Sequence, residues 1–179
     1  KTMPTKNFSS IGGYAVDATE VVNTDRALKN ISAMHMVSNH FTDANKDIFI
    51  LKRQTDGSNN TMQMSLDGTN PLASNTPPLA NGTVSFATGT VFGQETTNNT
   101  YVYAVKFDLI ITTTAGGIPT VASTSEVVIR NNPPGQETWD VTPAAIQIGA
   151  APFFTFQVSS VTSSSIVKWV GILDITVVS

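Results

Sequence analysis

The chain has no cysteine. That absence excludes a disulfide framework, a thiolate nucleophile and a thiolate metal site. Charge is scarce as well: Asp, Glu, Lys and Arg make up 13% of the residues, against roughly 25% in an ordinary globular chain. Threonine, serine and asparagine fill the deficit, rather than extra apolar residues. A surface of hydroxyls and amides suits an extracellular or virion β-protein, or a chain that buries much of itself against its own copies. Lys/Arg clusters are missing and the net charge is −3, so nucleic acid is not an expected partner. No apolar run approaches the ~20 residues of a membrane-spanning helix, and no membrane insertion is expected. The opening KTMPTKNFSS lacks both an initiator Met and the apolar centre of a signal peptide. We expect a fragment or processed product of a longer protein. A small extracellular β-domain without disulfides is also expected to draw stability from oligomerisation.

Helical periodicity is missing too, and period-two alternation stands in its place. YVYAVKFDLIITT sets Tyr101, Tyr103, Val105, Phe107, Leu109 and Ile111 on one face, with Lys106, Asp108 and Thr112 on the other. TSEVVIR sets Ser125, Val127 and Ile129 against Glu126, Val128 and Arg130. Pro133 and Pro134 in NNPPGQ cannot continue a ladder. ETWDVTP and PFFTFQVSSV are further strands, and within the latter Phe154 and Phe156 alternate with Phe153 and Thr155, so at least one of these pairs belongs to a core. The ending SSSIVKWVGILDITVVS puts Val167, Trp169, Gly171, Leu173, Ile175 and Val177 on a core face. Its other face, with Val170 and Ile172 among Lys168, Asp174 and Thr176, is half apolar, so something is expected to cover it.

The spacing predicts an all-β, antiparallel, jelly-roll-like sandwich preceded by an intertwined β-rich stem. DIFILKRQTDGSNNTMQMSLDGTN reads as a hairpin, with Asp56-Gly57 and Asp67-Gly68 as turn dipeptides. Proline-rich PLASNTPPLANG marks the boundary, giving residues 1–79 as a stem or collar segment and 80–179 as a head. The first segment holds few large residues, and intertwining with neighbouring chains would supply what it cannot bury alone.

Catalytic patterns are thin. Glu95, Asp108, Glu126, Glu137, Asp140 and Asp174 alternate with apolar residues as solvent-facing strand positions do, whereas glycoside cleavage needs two carboxyls roughly 5–10 Å apart across a cleft. No Gly-x-Ser-x-Gly elbow occurs, and neither His35 nor His40 has a triad context. TDANKDIF and QTDGSNN lack the spaced acidic ligands of a calcium loop. The expectation is a chain that is not an enzyme and needs no cofactor or metal. For ligand binding the candidates are Tyr101, Phe153, Trp139 and Glu137, the last beside Asp140 on either flank of the Trp139 ring. Trp139 and Trp169 also suit core or subunit-interface anchors, and Val170, Ile172 and Trp169 are the oligomer-interface candidates.

Two stretches resemble phage tail fibres and tailspikes. GYAVDATEVVNTDRALKNISAM is similar to their short stem segment, through Tyr14, Val16, Asp17, Thr19, Val21, Val22, Asp25, Arg26, Leu28, Asn30 and Ile31, with Ala18 where glycine is usual. The order YVYAVKFDLII, EVVIR with Arg130, TWDV with Trp139 and Asp140, and IVKWVGILDITVV with Trp169 resembles a C-terminal domain of the same family. The resemblance implies a virion structural or host-attachment protein. It also implies a homotrimer that contacts other virion proteins and a host cell-surface glycan or protein receptor. A trimer would place three copies of His35 about one axis, where an ion is conceivable; a hydrogen-bonded surface histidine is the simpler reading. The alternatives are a purely structural virion component, such as a capsid decoration or tail fitting, and a polysaccharide-degrading tailspike domain.

Overall fold

The computed structural model describes residues 14–16, 19–22, 31–37, 44–56, 61–131, 139–160 and 166–178. Its contacts divide the chain into two units, Lys1–Ile31 and Ser32–Ser179. In the first, β1 (Tyr14–Val16) and β2 (Thr19–Val22) pair antiparallel, with a register shift between Tyr14 and Ala15. The second unit holds β3 (Ala33–Val37), β4 (Ala44–Thr55), β5 (Met62–Gln63), β6 (Val84–Glu95), β7 (Val102–Thr113), β8 (Pro119–Arg130), β9 (Trp139–Ile148), β10 (Ala151–Ser160) and β11 (Val167–Val178). The expectation of an all-β chain of antiparallel sheets holds, and no helix occurs among the described residues.

Six strands form one sheet in the order β3-β4-β11-β6-β7-β8, and three form another in the order β5-β10-β9. β6, β7 and β8 follow one another as a meander. β11, the last strand in sequence, lies between β4 and β6 and pairs with both along its whole length, Val167–Val178 against Thr55–Ala44 and Glu95–Val84. Alternation explains why these segments are strands and which way they face. The inward positions Phe49 and Leu51, Val91, Val105, Phe107, Leu109, Ile111, Trp169, Leu173 and Ile175 are all buried. Trp139, Val141, Phe154, Phe156 and Val158 meet them from the three-stranded sheet. Rings carry the contact between the sheets: Phe107 stacks on Phe156 with centroids 5.6 Å apart, and Trp139 tilts against Trp169 at 5.8 Å. A buried Phe contributes roughly 1.5–3 kcal/mol over an exposed one, so these rings anchor the core.

Two glycines of β6 make the ring packing possible. A Cβ on Gly93 would lie 2.5 Å from Cζ3 of Trp169, and one on Gly89 would lie 2.3 Å from Cζ of Phe156. Both rings therefore rest directly on the strand backbone.

One expectation meets a different arrangement. The segment 48–66 does not form a simple hairpin. β4 lies in the six-stranded sheet and β5 pairs with β10, through Gln63↔Gln157 and Met62↔Val158. What remains of the hairpin is an isolated bridge, Lys52↔Ser65. The physical reason is that β11 occupies the long side of β4 while buried Met64 is tied to the other sheet, its N–H donating to the Phe156 carbonyl at 2.9 Å. The boundary expected at 79/80 has β4 and β5 on one side and their partners β11 and β10 on the other. Finally, β8 is exposed on both faces from Ala122 to Arg130, so neither of its alternating sets enters the core.

Candidate functional site

Beyond the end of β3, the Lys52↔Ser65 bridge fastens a loop to the free edge of β4, through Lys52 N–H to the Ser65 carbonyl at 2.7 Å and the reverse bond at 3.1 Å. The loop is organised around Asp67. Its Oδ1 accepts from the Thr69 N–H (2.9 Å), the Thr69 hydroxyl (2.8 Å), the Ser65 hydroxyl (2.9 Å) and the Asn75 amide (3.0 Å). Aspartate side chains favour such turns because they capture the backbone two residues on. Gly68 supplies the positive φ, 84°, that completes the turn. Buried Asn75 closes the loop, its amide also reaching the Asn70 carbonyl at 3.2 Å while its own oxygen accepts from the Leu72 N–H at 2.6 Å.

These donors, the Thr69 N–H first and the Asn75 amide second, hold the Asp67 carboxyl far below its ordinary value. A depressed folded value stabilises the fold above the unfolded value of 3.8, and that contribution is lost as the pH falls below it. Wild type should therefore lose stability to acid more steeply than Asp67→Asn. Urea midpoints at pH 7 and at about pH 2.5 check this: the gap between the two proteins should narrow on acidification. A constant gap would remove the charged turn from the account.

Under this loop lies Arg53, on the inward face of β4 beyond Leu51. Its Nη2 donates to Oδ1 of Asn70 at 2.9 Å and approaches Sδ of Met62 at 3.5 Å, and Nη1 reaches the Gly68 carbonyl at 3.4 Å. Nε is buried without a hydrogen-bond partner among the described residues. No carboxylate of the described residues pairs with this guanidinium. Arg53 lines two clefts. One, of about 430 Å³, is bounded by Thr61, Met62, Gln63, Asn70, Pro71 and Gln157. The register partners Gln63 and Gln157 set two amides side by side there. The other, of about 310 Å³, adds Lys52, Lys168, Asp67 and Val170. Together they present a fixed cation, amides and a hydroxyl, suited to binding a polar ligand. Among the described residues no three His, Asp or Glu side chains are grouped to hold a metal ion.

The residues singled out from sequence are not brought together. Trp139 is 1% exposed and Phe153 3%, and Tyr101 packs half-buried against the core. For Trp139 and Phe153 the expected ligand role is corrected to a packing one, because both rings are enclosed. Glu137 and His40 lie outside the described residues. Trp169 is likewise inside the sandwich, which corrects its assignment to an interface, while Val170 and Ile172 are exposed on the outer face. His35 contacts Asp47, its register partner across β3 and β4. Among the candidate carboxylates, Asp174 pairs with Lys46 at 2.6 Å and Asp108 with Lys106 at 3.6 Å. Glu95 accepts from the Thr97 hydroxyl and Asp140 from that of Thr142. Asp174 and Asp108 share a row on the outer face with Thr88 between them, about 10 Å apart by two strand spacings. Arg53, Gln63, Asn70 and Gln157 were not singled out from sequence. The signal that bears on them is SLDGTN, an aspartate turn that plants a polar loop beside a strand.

No protein-family model and no curated protein matches the chain. Two solved structures are similar to it in part. One is a tailspike protein of Acinetobacter baumannii bacteriophage Fri1, described as a capsular polysaccharide depolymerase: 15% identity, TM-score 0.40, covering 81% of this chain and 20% of that one. The other is the tailspike protein of Acinetobacter baumannii phage AM24: 10% identity, TM-score 0.27, covering 73% and 26%. The chain thus spans about a fifth to a quarter of the length of these proteins. The expectation that it is not an enzyme is corrected, because a protein it is similar to is described as a depolymerase. The solved structures that it loosely resembles are phage tailspikes.

Proposed function

We propose that this chain is part of a phage tail fibre or tailspike, carried on the virion, that presents a receptor-contacting β-head for host attachment. It assembles as a homotrimer beside other virion proteins, and the receptor is a cell-surface glycan or protein. The observation that carries this reading is the outer face of the six-stranded sheet. Val84, Phe86, Phe92, Val170 and Ile172 are exposed there, and Val170 lies between Phe92 of β6 and Lys52 of β4 in register. Two of the cations on this face are paired within it, Lys46 to Asp174 and Lys106 to Asp108. A solvated face of an antiparallel sheet is ordinarily polar, and contiguous exposed apolar groups mark interaction surfaces. The exposed edge strand β8, with Val127, Val128 and Ile129, adds a ladder that is unpaired among the described residues and that a second chain can cover. The stem and terminal sequence patterns support the placement in a tail fibre. Three linked heads would gain avidity for a repeated receptor.

Light scattering is expected to give three times the single-chain mass. The double variant Val170→Glu, Ile172→Glu should drop to a single-chain mass with unchanged far-ultraviolet circular dichroism, since both side chains point away from the core. A wild-type monomer at micromolar concentration would overturn the assembly. Binding of the labelled trimer to a panel of bacterial strains then separates attachment from a purely structural role, which predicts no cell binding.

A further inference from the structure

We infer that the cleft over Arg53 binds the carboxylate-bearing sugar of an acidic saccharide, an assignment that rests on the receptor-contacting reading above. Its volume, about 430 Å³, falls in the roughly 300–1,000 Å³ range of small-molecule sites. Its walls are mainly polar, with Thr61, Gln63, Asn70 and Gln157 turned to it and no carboxylate among them. Planar amides that both donate and accept suit vicinal hydroxyls, and a polyhydroxylated ligand is the class that uses many such groups without an enclosed apolar pocket.

Charge selects within that class. Arg53 is planar, permanently charged and without a carboxylate partner among the described residues, and a guanidinium fork matches a carboxylate. Nη2 is oriented by Asn70 and Met62. Asn70 is in turn held by the loop closed through Asp67 and Asn75, so the fork is placed before any ligand arrives. Among the described residues lining the adjoining cleft with Lys52 and Lys168, the one carboxylate is Asp67, whose Oδ1 is taken by several donors. In a protein of net charge −3, this is a local positive patch.

The test is an NMR titration of the isotopically labelled full chain, following the side-chain amides of Gln63, Asn70 and Gln157. Sodium glucuronate is the probe, with glucose as the neutral arm and sodium acetate as the bare carboxylate. Glucuronate should produce weak, saturable shifts that shrink with added salt, and glucose and acetate should each bind roughly tenfold or more weaker. Arg53→Gln should weaken glucuronate by roughly tenfold or more. Gln157→Glu, which sets a carboxylate opposite Arg53 without touching the loop, should abolish the shifts even if Arg53→Gln fails to fold. Equal shifts with glucose, or with acetate, would overturn the assignment, as would no shift with glucuronate or undiminished shifts in Gln157→Glu. Cell binding by the trimer with no glucuronate response removes this site and leaves the attachment reading standing. A glucuronate response without cell binding does the reverse.

Discussion

A chain that ends at Ser165 is expected to give no soluble, cooperatively folding protein. The deleted strand, β11, is an interior strand of the six-stranded sheet, hydrogen-bonded to β4 on one side and β6 on the other. Its loss leaves two long edges unpaired, which is a template for aggregation. It also removes Val167, Trp169, Leu173, Ile175 and Val177, five buried apolar side chains. At roughly 1.5–3 kcal/mol each, their loss is comparable with the ~5–15 kcal/mol that holds a whole domain folded. The soluble fraction on expression and urea unfolding followed by circular dichroism check the point. A soluble truncate with a sigmoidal transition would mean that β4 and β6 can close the gap between them, and the central placing of β11 would be wrong.

Strands with one buried face were legible because alternation reports burial directly. Tyr103 to Ile111 and Val167 to Val177 lie as their spacing predicts. Neighbour choice was not legible in the same way. Nothing local to Ile48–Leu66 says that the side of β4 will be taken by a strand more than a hundred residues later, so the nearest return segment looked like its partner. Trp139 illustrates a second limit. A tryptophan beside acidic residues fits a sugar platform or a core anchor equally well until the second sheet is in place, and its contact with Trp169 then decides for the core. Arg53 shows a third. It shares the inward parity of Phe49 and Leu51, yet it sits where the core gives way to the Asp67 loop. An inward-facing cation at a strand end is informative only once the loop above it is known.

Replacing Trp169 by alanine should cost about 3–5 kcal/mol, and how that cost changes with Gly93 tests the packing most closely. The indole N–H donates to Oγ1 of Thr55 at 2.9 Å, and that oxygen is 2.6 Å from Oγ of Ser160. Trp169→Phe keeps a six-membered ring but loses this bond and the volume of the pyrrole ring, so it should cost less, about 1–3 kcal/mol, since the two hydroxyls still satisfy each other. Gly93→Ala in the wild-type background drives a methyl group into the indole and should destabilise by about 1–3 kcal/mol. In the Trp169→Ala background the same methyl enters the space the ring has left, so its cost should vanish or turn to a gain. Urea unfolding of the four proteins gives the coupling as a double-mutant cycle. An equal cost of Gly93→Ala in both backgrounds would mean that the indole does not rest on β6. The reason for glycine at that position would then have to lie in the backbone rather than in Trp169.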